Sequence, residues 1–260
     1  MMDNISNNKN NRNPWRVLYI TGGVAILLAV IVFRRNWSAE MKVSNGFGIF
    51  PMPETLPTSA LEWFSLLQEH LFVGLSLLDF FDLINYALVG LLFLALYVAL
   101  RKANQSLMLI AITSGLVGVT VYLASNQALE ILSLSKQFAA ATSDAQRATL
   151  LTAGDTILAT HPSDPAFLPT GLQISLFLVL VAGLLISIVM LQSKIFSKAT
   201  TVCGLCANGL ALIGMISLPF LPEIYLIFPT VSAPFRMIWY ILIAIQLFKL
   251  SNSTPIKETL

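Results

Sequence analysis

The feature that most constrains this chain is a series of long stretches that contain almost no charged residue. A helix needs roughly 20 residues, at ~1.5 Å each, to cross the ~30 Å hydrocarbon core of a bilayer. Only helices and closed barrels satisfy their own backbone hydrogen bonds in that environment, so these apolar stretches predict helical membrane spans. The stretches are Val17–Phe33, Leu83–Leu100, Ala103–Leu129, Pro165–Ser193, Ala199–Pro222 and, interrupted only by Arg236, Ile224–Phe248.

The low share of charged residues excludes whole classes of protein. Only 11% of the residues are charged and 56% are hydrophobic, whereas soluble domains carry about 25% charged residues. The formal net charge of +2 is scattered along the chain and cannot form the basic surface that tracks nucleic-acid phosphates. We therefore expect the lipid bilayer as a partner, and no nucleic acid.

The sequence carries none of the motifs by which common enzyme and cofactor sites are recognised. It lacks H-E-x-x-H, G-x-S-x-G and a glycine-rich phosphate loop, so we expect neither a metal nor a cofactor. Cys203 and Cys206 form a lone C-x-x-C pair. Because the cytoplasm is reducing and a reactive thiol needs a lowered pKa, we interpret both cysteines as packing residues.

The distribution of charge between the loops predicts the orientation in the membrane. With both termini cytoplasmic, the inner segments hold nine of the 15 basic residues and only two of the 13 acidic residues. Short basic loops stay on the cytoplasmic side, and the loops Arg101-Lys102 and Lys194–Lys198 contain no acid. We therefore expect the N-terminus and the C-terminus to be cytoplasmic.

Two long outer segments carry the signals of additional helices. Ser59-Ala60-Leu61-Glu62 is a capping box that starts an amphipathic helix. Ser143-Asp144-Ala145-Gln146 is a second capping box, inside a predicted helical hairpin. The sequence thus predicts an all-α membrane protein, a bundle of six transmembrane helices with an extracytoplasmic helical cap. We predict one domain over residues 1–260, with spans at about 17–33, 83–101, 105–124, 170–191, 199–218 and 234–249, an outer amphipathic helix at 60–79 and an outer hairpin at 127–160.

Arg236 is the only charge within the last apolar stretch. It lies thirteen residues before Lys249, or ~20 Å along a helix, which corresponds to the outer leaflet. A buried arginine is costly in lipid, so it either faces a polar cavity or snorkels to the interface. Pro229 and Pro234 precede it, and because proline disrupts helices, we expect the sixth span to be broken or to begin only at Pro234.

An acidic cluster precedes the second span. Asp79, Asp82 and Asn85 recur every third residue, which puts them on one helical face, and Glu69 lies further up the chain. These side chains either bind a ligand or simply cap the helix at the interface, where carboxylates favour the helix dipole. We predict that Asp79 or Asp82 pairs with Arg236.

Four stretches resemble a known family. They are Phe33–Asn36 (FRRN), Leu78–Tyr86 (LDFFDLINY), Phe138–Leu151 (FAAATSDAQRATLL) and Ser197–Thr200 (SKAT). They resemble a family of uncharacterised bacterial membrane proteins with six spans, known only as a domain of unknown function. The resemblance covers roughly residues 15–250. It implies six helices, a helical outer hairpin and the bacterial inner membrane, and it offers no catalytic residues.

These observations favour a non-enzymatic membrane protein that binds or transports a small molecule or lipid. The pocket would face outward and be lined by Arg236, Asp82, Asp79, Asn85 and Glu69. One alternative is an intramembrane enzyme that uses Asp79 and Asp82 as acid and base at the outer leaflet. Another is a structural or accessory subunit whose cap docks an unknown protein partner. A polar cavity that reaches Asp82 and Arg236 would favour the first two, and a filled bundle with an apolar patch on the cap would favour the third.

Overall fold

The described part of the chain is helical throughout. The computed structural model describes residues 13–40, 56–160, 169–221 and 227–253, except the side chains of 32–40. Over those ranges it contains no strand. The helices are α1 (Arg16–Glu40), α2 (Ala60–Glu69), α3 (Leu71–Leu77), α4 (Phe80–Leu100), α5 (Gln105–Ser125), α6 (Ala128–Ala140), α7 (Asp144–Ala159), α8 (Thr170–Gln192), α9 (Lys198–Ser217) and α10 (Ile227–Asn252).

Six long helices close into a ring. α1 packs against α4, α4 against α5, α5 against α8, α8 against α9, α9 against α10, and α10 against α1. Asn13 Nδ2 donates to the Leu250 carbonyl at 3.2 Å, so α1 begins beside the end of α10. Asn104 Nδ2 donates to Gln192 Oε1 at 3.2 Å, so α5 begins beside the end of α8.

The two ends of the ring differ in charge. The end where α1 begins and α10 finishes carries six basic residues, and we call it the basic end. The opposite end, where α4 begins and α5 finishes, is the cap end. The residues of the basic end are Arg16, Arg101, Lys102, Lys194, Lys198 and Lys249.

The ring is filled with large apolar side chains towards the basic end. Leu92, Leu96 and Leu100 of α4 belong to the same fully buried cluster as Ile186 of α8 and Ile243 of α10. Because lipid tails are as apolar as leucine, this packing, and not the exclusion of water, is what distinguishes the folded bundle from separate helices.

Small residues let neighbouring helices approach closely. A Cβ added to Gly118 of α5 would meet the backbone oxygen of Ser175 in α8 at 2.9 Å. A Cβ added to Gly183 of α8 would overlap the side-chain oxygen of Asn208 in α9. The α5–α8 and α8–α9 contacts therefore depend on glycine, as is common for helices in membranes.

Five stretches are long and apolar enough to cross a membrane. They are α4, the stretch Gln105–Ala140 that runs through α5 and α6, α8, α9 and α10. The apolar part of α1, Arg16–Ile31, falls among the shorter helices of 10–17 residues. Five of the six predicted spans thus meet the criterion of length and composition. The first predicted span, at about 17–33, stays a prediction.

The last helix corrects one expectation. We expected the sixth span to be broken or to begin only at Pro234, but α10 runs from Ile227 through Pro234 to Asn252. Pro229 lies in the first turn, where the amide that proline lacks would have no intrahelical partner. Pro234 removes one interior hydrogen bond, and the contacts of α10 with α9 and α1 keep the helix continuous.

The outer helix predicted over residues 60–79 is also corrected, because two breaks interrupt it. His70 separates α2 from α3 with backbone angles of φ −136° and ψ 66°, outside the helical region. Asp79, just before α4, has φ 57° and ψ 26°, a left-handed conformation that aspartate tolerates better than most residues. Neither position carries the glycine by which helix ends are usually recognised, so neither break could be predicted from the residue types. The predicted hairpin range, 127–160, contains α6 and α7.

α2, α3, α6 and α7 form a small cap with its own apolar core. Phe64 and Leu67 of α2 are buried against Ile131 of α6 and Leu75 of α3. The Phe64 ring also contacts the Phe138 ring, with centroids 5.5 Å apart. The cap joins the bundle where α3 contacts α4.

Polar contacts fix the first helix of the cap. Ser59 Oγ accepts from the Glu62 amide at 3.4 Å, and the Asp155 carboxylate of α7 accepts from the Ala60 amide at 2.7 Å. The Thr58 amide donates to the Glu62 carboxylate at 2.6 Å and holds the pKa of that exposed carboxyl below its usual value. The residues of the capping box therefore satisfy the start of α2 as the sequence indicates.

We predict that Gly118→Ala destabilises the bundle, because the new methyl group would press on the backbone of α8, which cannot rotate away. Overpacking of this kind costs about 1–3 kcal/mol. The measurement is the free energy of unfolding of the purified protein in detergent.

Gly209→Ala is the matched control. A Cβ at Gly209 would meet only Leu184 Cδ1, at 3.9 Å, so this variant should unfold like the wild type or slightly later. Equal stabilities for the two variants would contradict the assigned α5–α8 contact.

Candidate functional site

Two stacked tyrosines lie inside the bundle towards the cap end. The rings of Tyr86 in α4 and Tyr122 in α5 have centroids 3.8 Å apart and planes within 3° of each other. They are 9% and 5% exposed, and Leu83, Leu172 and Leu176 pack around them. The stack brings two phenol hydroxyls into a part of the bundle where α4, α5 and α8 meet.

Asn126 ties this stack to the start of α4. Its side-chain nitrogen donates to the Asp79 carbonyl at 3.2 Å and lies 3.5 Å from the Tyr122 hydroxyl. Its side-chain oxygen accepts from the Ala128 amide at 3.0 Å, at the beginning of α6. One side chain thus connects the left-handed residue before α4, the tyrosine stack and the first helix of the hairpin.

Arg236 lies on the other side of the same region. It is half-buried, and its Nη2 donates to the Ala207 carbonyl of α9 at 3.4 Å. The Tyr240 hydroxyl, one turn further along α10, is close to the same guanidinium. The snorkelling alternative requires no protein partner for this arginine, whereas the structure provides one on α9.

One acidic and one basic side chain lie near the Tyr86 hydroxyl. Its hydroxyl lies within the electrostatic range of Asp82, which is on the same helix, and of Arg236 on α10. The Tyr122 hydroxyl lies within the range of Asp79 and Asp82. The structure therefore brings the predicted acidic residues and the predicted arginine to one tyrosine pair. Their direct ion pair stays a prediction.

Two buried polar atoms in this region lack a hydrogen-bond partner among the described residues. They are Asn85 Oδ1 of α4 and Ser175 Oγ of α8. The Ser175 hydroxyl lies near the Tyr86 hydroxyl, but their geometry does not make a hydrogen bond, and the whole residue is inaccessible to solvent. Leaving such a group unsatisfied costs about 1–3 kcal/mol, so these atoms are suited to an additional polar partner.

We call this group of side chains the tyrosine cluster. Its charged members and Asn85 were predicted from the sequence, whereas the tyrosines and Ser175 were not. Tyr86 follows Asp82 by four residues and Tyr122 precedes Asn126 by four, so helical spacing was the available signal. The members of the cluster are Asp79, Asp82, Asn85, Tyr86, Tyr122, Ser175, Arg236 and Tyr240.

Glu69 lies apart from the other predicted site residues. It is the last residue of α2 and its side chain is exposed. No contact found among the described residues joins it to the tyrosine cluster. Its role as a ligand residue stays a prediction.

Two open pockets lie elsewhere in the described part of the chain. One, of about 410 Å³, lies where the end of α5 and the starts of α6 and α8 meet the end of α7, with Glu130 and Thr160 in its wall. The other, of about 330 Å³, is a mostly apolar groove on α5 that includes Leu109 and Thr113. Neither is lined by Asp82 or Arg236. Within the tyrosine cluster, Tyr86 and Tyr122 are buried, whereas Asp79 is exposed and Asp82 and Arg236 are half-buried.

Cys203 and Cys206 are unpaired and half-buried within α9. A second polar group lies beside them, where Ser187 Oγ of α8 donates to the Gly183 carbonyl at 2.8 Å and Asn208 donates to the Gly204 carbonyl at 2.8 Å. These bonds are internal to each helix, and they fit the interpretation of this region as a packed contact.

Comparison of this chain with known proteins identifies a family whose function is unknown. A family model described as a domain of unknown function, DUF4386, matches residues 17–249. No curated protein and no solved structure matches the chain.

We predict that Ser175→Ala stabilises the protein, because it removes a buried hydroxyl that has no partner. The expected gain in the free energy of unfolding is about 1 kcal/mol, measured in detergent in the absence of added ligand.

The matched control is Ser187→Ala, which removes a hydroxyl that does have a partner, the Gly183 carbonyl. This variant should gain nothing or lose about 0.5–1.5 kcal/mol. A loss of stability in Ser175→Ala would show that its hydroxyl is already satisfied.

Proposed function

Because this chain belongs to the DUF4386 family, whose function is unknown, we propose its function from the geometry. It is a six-span membrane protein whose tyrosine cluster binds a small molecule or lipid headgroup that carries both a positive and a negative charge. Binding occurs from the outer side and is the first step of transport or presentation of that molecule.

The packing of α1 supports the count of six spans. α1 occupies a full place in the ring, between α4 and α10. Its Gly22 faces Ala95 near the middle of α4, and its Gly23 faces the Phe248 ring of α10. Its 25 residues extend about 37 Å, which is enough to cross a bilayer.

The charge of the two ends supports the orientation. All carboxylates whose side chains the structure describes lie in the cap or at the start of α4, and the basic end has none of them. The positive-inside rule then favours a cytoplasmic basic end, with both termini inside and the cap outside. In a bacterium this is the arrangement of an inner-membrane protein with an extracytoplasmic cap.

The unsatisfied atoms of the tyrosine cluster carry the proposal. Asn85 Oδ1 is an acceptor and the Ser175 hydroxyl is a donor or an acceptor, and neither has a partner within the described part of the chain. Asn85 directly precedes Tyr86 on α4, and Ser175 lies near the Tyr86 hydroxyl, which is within the electrostatic range of one carboxylate, Asp82, and one guanidinium, Arg236. An ammonium group suits the carboxylate side and a carboxylate or phosphate group suits the guanidinium side.

The burial of the two tyrosine rings fits a protein with two conformations. An outward-facing pocket would open if α4 moved relative to α10, since these helices carry Asp82 and Arg236. The left-handed Asp79 lies immediately before α4 and would serve as a hinge at the outer end of that helix.

Exposed apolar side chains on the cap favour a second candidate function. Leu61, Phe72 and Leu129 are each at least half exposed, and they belong to three different helices of the cap. An accessory subunit that docks a partner protein would present such side chains. If no ligand binds the tyrosine cluster, this function is the better one.

We predict the membrane orientation from these charges. In a background with Cys203→Ser and Cys206→Ser, Thr149→Cys in the cap should react with an impermeant maleimide on intact cells. Ala103→Cys at the basic end should react only after the cells are lysed. The reverse pattern would overturn the proposed orientation.

We predict that phosphatidylethanolamine, which carries both charges, raises the unfolding temperature of the purified protein. Its soluble headgroup, phosphoethanolamine, should compete for the same site. Asp82→Asn and Arg236→Gln should each weaken binding at least tenfold, because a hydrogen bond to a charged group is worth about 1.5–3 kcal/mol.

The control for charge is Arg147→Gln, which removes one positive charge from an exposed position of the cap. It should bind like the wild type. Unchanged affinity in both Asp82→Asn and Arg236→Gln would contradict the proposed site. Uptake of labelled phosphoethanolamine into vesicles would then separate transport from binding alone.

A further inference from the structure

The basic end of the bundle has an unbalanced charge. Six basic residues from the ends of all six ring helices lie there, and no described carboxylate does. The flanking sequence adds Lys9, Arg12 and Lys257 against Asp3 and Glu258, so the end stays positive. Orientation in the membrane explains exposed positive charges, but two of these arginines are partly buried and need a different explanation.

Arg101 and Trp15 form one half of a corner between α4 and α1. The Arg101 guanidinium carbon lies 5.2 Å from the centroid of the Trp15 ring, which is within range of a cation–π contact. The ring is 40% exposed, as is typical of tryptophan at a membrane interface. The guanidinium is thus held at the level where lipid headgroups lie.

Arg16 forms the other half of the corner. It follows Trp15 directly at the start of α1, and its buried Nε atom has no hydrogen-bond partner among the residues that the structure describes. Tyr19, one turn along α1 from Arg16, lies within the electrostatic range of Arg101, so Arg101 approaches the turn of α1 that carries Arg16. A charged donor that is removed from water and left unsatisfied is costly.

We propose that Arg16, Arg101 and Trp15 bind a phosphate group, and that an anionic phospholipid at this surface of the bilayer supplies it. The guanidinium group offers parallel N–H donors that match the oxygens of a phosphate. Basic recesses between membrane helices on this side are suited to anionic headgroups. The phosphate would satisfy Arg16 Nε and reduce the repulsion between the two arginines. This site lies at the opposite end of the bundle from the tyrosine cluster and is independent of the function proposed for it.

The test uses the full-length protein reconstituted in nanodiscs of phosphatidylcholine, with and without phosphatidylglycerol. We expect phosphatidylglycerol to raise the unfolding temperature of the wild type and to be retained by it in native mass spectrometry. Arg16→Gln and Arg101→Gln should each reduce retention about fivefold, the effect of about one charge near a lipid surface, and the double variant should lose it.

Two control variants separate a local site from the general field of the basic end. Lys249→Gln removes a charge from the same end without touching the corner, and Arg147→Gln removes one from the cap. Both should retain phosphatidylglycerol better than Arg101→Gln does. Unfolding in phosphatidylcholine alone reports whether any variant has failed to fold.

Inorganic phosphate distinguishes the two sources of the group. Stabilisation by phosphatidylglycerol but not by millimolar phosphate supports the lipid, whereas stabilisation by inorganic phosphate supports the site and assigns it to the free ion. The proposal is overturned if neither probe stabilises the wild type, or if folded Arg16→Gln/Arg101→Gln protein retains phosphatidylglycerol as the wild type does. It is also overturned if Lys249→Gln loses as much as Arg101→Gln.

Discussion

Polar side chains inside an apolar helical bundle can be satisfied only by one another, by backbone carbonyls or by a bound molecule. Most of those in this protein follow the first two routes: Arg236 reaches the Ala207 carbonyl, Ser187 reaches its own helix, and Asn208 does the same. Among the described residues, the buried atoms Asn85 Oδ1, Ser175 Oγ and Trp239 Nε1 have no such partner. This constraint separates the polar groups that are satisfied within the bundle from those that an additional polar group would satisfy.

Much of the architecture could be predicted from the sequence, because a span is a local property of about 20 consecutive residues. The spans at α4, α5, α8 and α9 could be predicted from their uncharged stretches without knowing which helices pack beside them. The capping box at Ser59 is equally local, and it forms. Predictions from local sequence rules were wrong where tertiary contacts determine the structure. Pro234 would break an isolated helix, yet α10 continues through it between α9 and α1.

The candidate site could be predicted only in part, for the same reason. Asp79, Asp82 and Asn85 share a helical face by spacing alone, and Arg236 stands out as a charge within an apolar stretch. That Tyr86 stacks on Tyr122 depends on the register between α4 and α5, which no spacing rule gives. Asp79, whose backbone is left-handed, accepts a hydrogen bond from Asn126, 47 positions away along the chain. Sequence patterns identify the charged members of a site more readily than the aromatic residues that hold them.

The closure of the ring by its first and last helices has a consequence for biogenesis. The contact between α1 and α10 joins residues more than 200 positions apart, including the bond from Asn13 to Leu250. During synthesis, the surface of α1 that contacts α10 therefore stays uncovered until nearly the entire polypeptide has left the ribosome. Gly22 already faces Ala95 of α4, whereas Gly23, which faces the Phe248 ring of α10, stays uncovered through that interval. A ribosome stalled before α10 would release an unsealed bundle, a ready substrate for membrane proteases.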